Sequence, residues 1–327
     1  MKGVRGAEIL ITGGAGFIGS NLAIQLVAHG AHVTVLDSFI PPYGGNRFNL
    51  FPIDKSFRLI EGDVRSRDLL KKLVGGKDFI FHLAGQTGRV ISMNRPEFDI
   101  DINCTGTISI LEAIKAQSRK AKIIFTSSRG VIGEPKYLPV HEGHPVGPKD
   151  IYGADKLAAE WYVRIYGNEY TIPYTILRLN NVYGPRCQIR SNHYGTINLF
   201  ISYALQNKEI PIYGDGTQTR DYVYVDDTVD ALIRSCDKKA DGEIYFVGTG
   251  EPNTLLSIVE IIGTYITDTK FRLVSFPEDL AKLDFHDFYT DSSKITASLG
   301  WKPVVGLSRG ILKTVEYYKK YLRTYLW

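Results

Sequence analysis

Cysteine is scarce in this chain, which has three in 327 residues. Cys104, Cys187 and Cys236 are scattered and odd in number, so they fit neither a disulfide framework nor the paired spacing of a zinc site. We therefore expect a reducing, cytoplasmic location. His141 and His144 lie close together in sequence, but no third ligand accompanies them, and we predict no metal site.

Long apolar runs and a strong charge bias are also missing. No stretch is long enough to span a bilayer, and the residues ahead of the first predicted strand leave no room for a signal peptide. The net charge of +4 is interspersed and too mild to indicate a nucleic acid or membrane partner. We see no internal repeat and no low-complexity segment. The length allows a large core and two lobes.

A phosphate-binding turn follows the first predicted strand. Glu8–Thr12 is apolar enough to be buried, and glycines at 13, 16 and 19 precede a predicted helix over 20–27. Such glycines allow a tight turn and close approach to a pyrophosphate at the helix N-terminus. The next strand, His32–Leu36, leads to Asp37, about where a carboxylate binds the ribose. This carboxylate would repel the 2′-phosphate of NADP, so we predict NAD.

Short apolar strands alternate with helical stretches through the first half of the chain. Strands are predicted at 57–60, 78–83, 122–126 and 174–178, and helices at 65–74, 98–117 and 153–169. This alternation predicts an α/β fold, a Rossmann-type doubly wound parallel sheet that binds ligands at the carboxyl ends of its strands. We expect an NAD-binding domain over 1–184 and a smaller, mainly substrate-binding C-terminal lobe over 185–327. A strand at 243–248 is expected to return to the main sheet, so that the lobes are interleaved.

Tyr152 and Lys156 are four residues apart in a helix-favouring segment and therefore lie on one face. A lysine cation beside a phenol favours the phenolate, so we expect a lowered pKa for Tyr152. Such a tyrosine can act as a general base or acid on a sugar hydroxyl or a ketone. On its own, the pair also fits an exposed helix face.

Further segments match a known family. They are Thr12–Gly19, Gly62–Val64, His82–Gln86, Asn103 with Gly106 and Thr107, Phe125–Ser128, Tyr152 with Lys156, Arg178 with Asn181–Pro185, Tyr213–Asp227, Asp291–Lys294 and Leu299–Pro303. On these segments the chain resembles, over nearly its whole length, the extended short-chain dehydrogenase/reductases. Within them it is similar to the NAD-dependent sugar-nucleotide epimerase/dehydratase family. The resemblance implies NAD as cofactor, a nucleotide-diphosphate sugar as substrate, and a homodimer formed through the helices at 98–117 and 153–169.

The resemblance also implies roles for single residues. Tyr152 would be the catalytic base and acid, and Lys156 would hold the nicotinamide ribose. Ser128 would bind the substrate hydroxyl, with Ser127 as the neighbouring alternative. The implied cofactor residues are Gly13, Gly16, Phe17, Ile18, Gly19, Asp37, Ser38, Asp63, Val64, Leu83, Ala84, Gly85, Gln86, Asn103, Ser127, Tyr152 and Lys156. The implied substrate residues are Ser128, Arg129, Asn181 and Arg220, the last two on the diphosphate, although Arg220 also fits a surface salt bridge with Asp221.

The residues after Ser128 indicate which reaction the family fold performs here. Dehydratases of the family carry an Asp-Glu pair at these positions, and decarboxylases usually carry a glutamate; this chain has Arg129 and Gly130. Epimerisation needs no further carboxylate, because one tyrosine and one nicotinamide serve both faces of a transient ketosugar. We therefore predict an epimerase similar to UDP-glucose 4-epimerase. A dehydratase, a ketosugar reductase that consumes external cofactor, and a non-catalytic NAD sensor are the alternatives.

Two departures from the family pattern border the expected sugar pocket. Ile132 stands where a tyrosine is usual, and Val90 stands where an arginine is common, with Arg89 displaced by one. Together with the segment His82–Gln86, which also occurs in enzymes similar to CDP-tyvelose 2-epimerase, these changes leave inversion at C2 or C3 open. Arg129 is expected to contact the sugar or a carboxylate on it, or else to be a solvated loop residue.

Overall fold

The fold is described from a computed structural model that covers residues 3–41, 45–53, 55–117, 120–190, 195–277 and 287–326. Within these ranges seven strands form one sheet in the order β10-β6-β5-β4-β1-β2-β3. They are β1 (Glu8–Thr12), β2 (His32–Asp37), β3 (Arg58–Glu61), β4 (Phe79–His82), β5 (Lys122–Ser128), β6 (Tyr174–Leu179) and β10 (Glu243–Val247). Every pairing is parallel. The predicted doubly wound α/β sheet is therefore confirmed.

Helices cover the sheet on both faces. Further helices pack in the second lobe, beside its small sheets. The helices of the described residues are α1 (Phe17–Ala28), α2 (Arg67–Val74), α3 (Arg89–Asn94), α4 (Pro96–Ile100), α5 (Gly106–Gln117), α6 (Ile151–Tyr170), α7 (Thr196–Leu205), α8 (Val225–Arg234), α9 (Leu255–Gly263), α10 (Ser293–Leu299) and α11 (Leu307–Leu326). Apolar strand residues divide between two cores, because alternate side chains of a strand point to opposite faces. Ile9 and Ile11 of β1 join one core and Leu10 joins the other. No helix of the described part of the chain is long and apolar enough to cross a membrane.

The predicted helix over 98–117 is interrupted. The π-helical stretch Asp101–Thr105 separates α4 from α5, and the extra residue of a π turn rotates side chains relative to a regular helix. Asn103 consequently faces the interior and is almost fully buried. Sequence periodicity does not reveal this bulge, because the apolar pattern is regular on both sides of it.

Two small sheets lie beside the carboxyl ends of the main strands. One contains β7 (Asn181–Tyr183), β9 (Thr219–Tyr224) and β11 (Pro252–Thr254); the other pairs β8 (Ile210–Tyr213) with β12 (Phe271–Val274). In the chain, β7 precedes β10 and β11 follows it, whereas β10 itself pairs with β6 in the main sheet. Segments of the two lobes thus alternate along the chain, and the small sheets face the edge where ligands bind in this fold.

Candidate functional site

The glycine turn between β1 and α1 leaves no room for side chains. Gly13 has φ +68°, and a Cβ there would lie 2.7 Å from the backbone N of Ala84. A Cβ on Gly19 would lie 2.3 Å from the carbonyl O of Gly13. The N-cap, Gly16, supplies no side-chain hydrogen bond, so the N–H groups that begin α1 suit an anion. This cradle fits the pyrophosphate of a dinucleotide.

Asp37 joins the glycine turn to the loop after β2. Its Oδ2 accepts a hydrogen bond from the N–H of Ala15 at 3.0 Å, and its Oδ1 accepts one from Phe39 at 3.0 Å. The carboxylate lines the cleft and is almost fully buried. Asp63, after β3, lies on the same side and receives two hydrogen bonds from Arg65, at 3.0 and 2.7 Å. This arginine lowers the pKa of Asp63, which is therefore ionised at neutral pH.

One cavity of about 1040 Å³ runs along the carboxyl ends of the strands. This volume lies at the upper end for small-molecule sites, as a cofactor and a substrate side by side require. It is lined by nearly all residues that the sequence predicted, namely Gly13, Gly16, Phe17, Ile18, Gly19, Asp37, Ser38, Asp63, Val64, Leu83, Ala84, Gly85, Gln86, Ser127, Ser128, Arg129, Tyr152, Lys156, Asn181 and Arg220.

Asn103 lies behind the cavity wall. Its Nδ2 donates to the carbonyl O of Gln86 at 3.0 Å and to Oδ2 of Asp99 at 2.9 Å. Asp99 also accepts a hydrogen bond from Nε2 of Gln86 at 2.6 Å. Asn103 therefore supports Gln86, which lines the cleft, and Asp99 is a buried member of this network that the sequence did not indicate.

The two serines at the end of β5 have different partners. Ser127 donates to the buried carboxylate of Glu160, which also binds Arg178 at 2.7 and 2.9 Å. Ser128 instead hydrogen-bonds Tyr152 and accepts the N–H of Gly130 at 3.1 Å. Of the two serines, Ser128 is thus the one that can share a substrate hydroxyl with Tyr152.

The expected lowering of the Tyr152 pKa is wrong for the structure described here. Burial raises the pKa of Tyr152 to about 12, against the lowering effects of the Ser128 hydrogen bond and the Arg129 charge. Burial likewise lowers the pKa of Lys156 to about 8, while Asp99 and Glu160 oppose that shift. The Lys156 ammonium lies 4.5 Å from the centre of the Phe125 ring. Desolvation is therefore the largest effect at both groups, because both are buried.

The predicted substrate residues lie opposite the glycine turn. Nε of Arg129 donates to Oδ1 of Asn181 at 3.1 Å, and the guanidinium lies 5.1 Å from the centre of the Phe288 ring. Arg220 is buried, not part of the solvated surface, and its Nη1 donates to the carbonyl O of Thr219 at 2.8 Å. Arg129 is half-buried and its Nη1 is inaccessible to solvent, which argues against the alternative of a solvated loop residue.

The family departures have structural explanations. Ile132 is buried in a small cluster with Val131, Val140, Phe246 and Phe288, so it fills core volume and does not line the cleft. Val90 lines the cavity. Arg89 binds the buried carboxylate of Asp150, the N-cap of α6.

Sequence reasoning missed several residues of the cleft, among them Arg186, Arg190 and Tyr222. Arg186 directly follows the recognised segment Asn181–Pro185, and Tyr222 lies within the recognised segment Tyr213–Asp227, so a signal was available for both. Arg190 gave none, because the loop that carries it is placed only by tertiary contacts.

The described residues hold no group of three or more His, Cys, Asp or Glu side chains suited to a metal. His144 accepts a hydrogen bond from the N–H of Lys136 at 3.0 Å, and His141 accepts one from Gly143 at 3.1 Å. Both histidines therefore stabilise their own loop.

Comparison with known proteins identifies the family. The model of the NAD dependent epimerase/dehydratase family matches residues 9–248. The UDP-glucose 4-epimerase of Mycolicibacterium smegmatis is 35% identical over 95% of this chain and 98% of its own. The crystal structure of UDP-glucose 4-epimerase with UDP-glucose from Thermotoga maritima is 32% identical, with a TM-score of 0.88 over 96% of this chain and 99% of that one.

A third relative carries both ligands. The UDP-glucuronic acid 4-epimerase from Bacillus cereus, solved with UDP-glucuronic acid and NAD, is 31% identical, with a TM-score of 0.86 over 96% of this chain and 99% of that one. The glycine cradle and Asp37 of this chain fit the same cofactor. The chain is thus an NAD-dependent enzyme, and it belongs to the NAD-dependent epimerase/dehydratase family.

Proposed function

We propose that this enzyme inverts C4 of a uridine diphosphate sugar through a transient 4-ketosugar. The relatives and solved neighbours support NAD-dependent epimerisation of a nucleotide sugar. The uridine base and the carbon C4 are the finer parts of the proposal. The observation that carries it is the pair of arginines, Arg129 and Arg220, that line the cleft near Ser128 and Tyr152.

The carboxylates that line the described part of the cavity are Asp37, Glu61 and Asp63, all at the ends of the neighbouring strands β2 and β3. Arginines line it in more than one place, since Arg47 pairs with Glu61. Arg129 and Arg220 line the part near Ser128, because Arg220 forms a β-bridge with Phe288, whose ring the Arg129 guanidinium covers. Guanidinium groups bind phosphate oxygens through paired, charge-assisted hydrogen bonds. The part near Ser128 suits the diphosphate of a nucleotide sugar, and the part with the carboxylates suits adenosine hydroxyls.

Tyr152 is the proposed group that accepts the proton of the C4 hydroxyl and returns it. Ser128 lies beside the phenol and lowers its pKa through a hydrogen bond, so both oxygens can hold one sugar hydroxyl. NAD, when bound, takes the hydride from C4 and gives it back. Lys156, in the cavity wall one helical turn from Tyr152, supplies a positive charge and donors for the nicotinamide ribose.

The residues after Ser128 favour epimerisation over elimination. A Cβ on Gly130 would lie 3.4 Å from Oγ of Ser128 and 3.7 Å from Cε1 of Tyr152, so a carboxylate at this position would lie beside the proposed catalytic pair. Glycine leaves the position without an acid or base, and residue 129 is a cation. Loss of water or carbon dioxide would lack the carboxylate that the family uses for it.

Incubation with UDP-, dTDP-, CDP- and GDP-linked hexoses, followed by NMR and mass spectrometry, tests the proposal. We expect a UDP sugar to convert to its C4 epimer with unchanged mass and no net consumption of NAD. A product lighter by one water would favour a dehydratase, and one lighter by carbon dioxide a decarboxylase. Stoichiometric oxidation of reduced cofactor would favour a ketosugar reductase, and inversion at C2 would favour the alternative epimerase.

We also propose a cytoplasmic homodimer with an NAD-binding domain over 1–184 and a mainly substrate-binding lobe over 185–327. Ile100 of α4 and Trp161 and Ile165 of α6 are apolar side chains that are 44%, 49% and 54% exposed. Trp161 and Ile165 are four residues apart and so share one face of α6. Cys104, Cys187 and Cys236 are all free thiols, which supports a reducing compartment.

A further inference from the structure

Arg129 is held at the reacting end of the cleft by its position in the chain. Ser128 ends β5 and is the N-cap of the short 3₁₀ helix Arg129–Val131, accepting the N–H of Gly130 at 3.1 Å. The hydrogen bond to Asn181 at 3.1 Å and the ring of Phe288 at 5.1 Å then orient the guanidinium. Residue 129 therefore has a fixed relation to the serine that faces Tyr152.

The Arg129 charge acts on the hydroxyls around the sugar pocket. It lowers the pKa of Tyr152 and of Tyr222, against the larger effect of burial in both cases. The charge of Arg220 acts on Tyr222 as well, so the two arginines approach this side chain, while Arg129 also approaches Tyr152. Arg129 thus lies between the diphosphate part of the cleft and the phenol that would take the C4 proton.

Arg129 brings a second cation to the part of the cleft near Ser128, in addition to Arg220, which lines the same cavity. A shielded guanidinium binds a carboxylate more strongly than a neutral hydroxyl, because the hydrogen bonds are charge-assisted and can be paired. In a hexose, C6 is attached to C5, the neighbour of C4. A group at C6 therefore comes within reach of the residue that follows Ser128.

From this arrangement we propose that Arg129 recognises a carboxylate at C6, and that the substrate is a nucleotide-diphosphate uronic acid in preference to a neutral hexose. This inference rests on the proposed function and specifies the sugar. The covalent chemistry is unchanged: the proton leaves the C4 hydroxyl and the hydride leaves C4 itself, the hydride returns to the opposite face of the C4 ketone and the proton to its oxygen, and the C6 carboxylate takes no part.

Binding of UDP-glucuronate and UDP-glucose to the NAD-loaded protein, measured by calorimetry, tests the inference independently of turnover. We expect UDP-glucuronate to bind about ten- to a hundredfold more tightly, the effect of one charge-assisted pair. Arg129→Gln should reduce this ratio to within about threefold, and Arg129→Lys should retain part of it. Arg272→Gln is the matched control, because Arg272 is exposed and pairs with Glu209; it should leave the ratio unchanged.

The outcomes separate the two proposals. Equal or tighter binding of UDP-glucose, with its conversion to the C4 epimer, overturns the uronic acid inference and leaves the proposed function standing. A preference for UDP-glucuronate that survives in Arg129→Gln overturns the role of Arg129. Failure of both sugars to bind at millimolar concentration overturns the proposed function and the inference together. Retained NAD binding shows that the variants are folded. If Arg129→Gln does not fold, the ratio of the UDP-glucuronate and UDP-glucose affinities in the wild type and in Arg129→Lys decides whether the inference holds.

Discussion

At the residue scale, Tyr152 and Lys156 share a helix face and a buried setting, and their pKa values shift in opposite directions. Burial raises that of the phenol to about 12 and lowers that of the ammonium to about 8. Both shifts favour the uncharged form, as expected for groups removed from water. In the structure described here Tyr152 is therefore protonated at neutral pH, and its use as a base depends on charges that substrate and cofactor bring.

Tyr152→Phe should reduce turnover by about two to four orders of magnitude, the usual loss on removing a positioned acid or base. NAD binding should remain nearly intact, because the ring still packs and only the hydroxyl is removed. Turnover followed by NMR and NAD affinity measured by calorimetry check both parts. Tyr170→Phe, at the far end of the same helix, is the control. Near-normal turnover in Tyr152→Phe would refute its assignment as the base.

Lys156→Met should stabilise the protein in a pH-dependent way. The pKa of Lys156 is about 8 in the fold against an ordinary value of 10.5 for lysine, so the unfolded chain binds more protons between these values and wild-type stability rises with pH there. The shift corresponds to about 3 kcal/mol. The variant should be more stable by up to that amount at pH 7, and the difference should shrink as the pH rises from 8 towards 10.

Urea unfolding at several pH values measures this effect, with Lys208→Met as a control at an exposed position. A difference that stays constant between pH 7 and pH 10 would show that Lys156 is not the group whose pKa is shifted.

At the scale of elements, the N-terminus of α6 sets the position of Tyr152. Oδ1 of Asp150 accepts the N–H of Gly153 at 2.7 Å, and Oγ of Ser92 in α3 accepts the N–H of Tyr152 at 3.0 Å. Arg89, also in α3, binds the same aspartate. Helix α3 thus holds the first turn of α6 through two side chains, and the phenol is oriented from outside its own helix.

Asp150→Ala should destabilise the protein by about 1–3 kcal/mol, since it removes a helix cap and a charge-assisted hydrogen bond. Turnover should fall as well, because the first turn of α6 carries Tyr152. Asp150→Asn keeps a capping oxygen and should lose less stability. Urea unfolding of both variants measures their losses of stability, and equal losses would argue against the helix cap as the cause.

At the scale of the whole molecule, the parallel sheet brings the cofactor and substrate parts of the cleft to one edge. Asp37 lies at the end of β2 and Ser128 at the end of β5, with β1 and β4 between them. Strands in register place these ends side by side, so one elongated cavity can hold a dinucleotide and a nucleotide sugar.

NAD should bind at least about tenfold more tightly than NADP, because the Asp37 carboxylate repels a 2′-phosphate. Calorimetry with both cofactors measures the ratio. Asp37→Asn keeps hydrogen-bonding capacity but removes the charge, so it should reduce the preference for NAD over NADP. A wild-type preference for NADP would refute the argument from Asp37.

Trp161→Glu should weaken self-association, because it places a charge on the apolar face of α6 that the proposed dimer covers. Sedimentation velocity at micromolar concentration should show a dimer for the wild type and more monomer for the variant. Phe271→Glu, at an exposed apolar position of β12, is the matched control. A wild-type protein that is only monomeric would contradict the dimer.

The amino-acid sequence by itself determined the sheet, the glycine turn and the family, because these depend on short-range patterns. Buried strands are apolar runs, a dinucleotide turn needs glycine where no Cβ fits, and Tyr152 and Lys156 share a face through the helical repeat alone. The tertiary structure decided what depends on contacts between distant segments. Glu160 engages Ser127 and leaves Ser128 to Tyr152, and the π-helical stretch turns Asn103 away from the cleft. Burial reverses the expected pKa shift of Tyr152, because desolvation is a property of the assembled core and not of neighbouring residues in the chain.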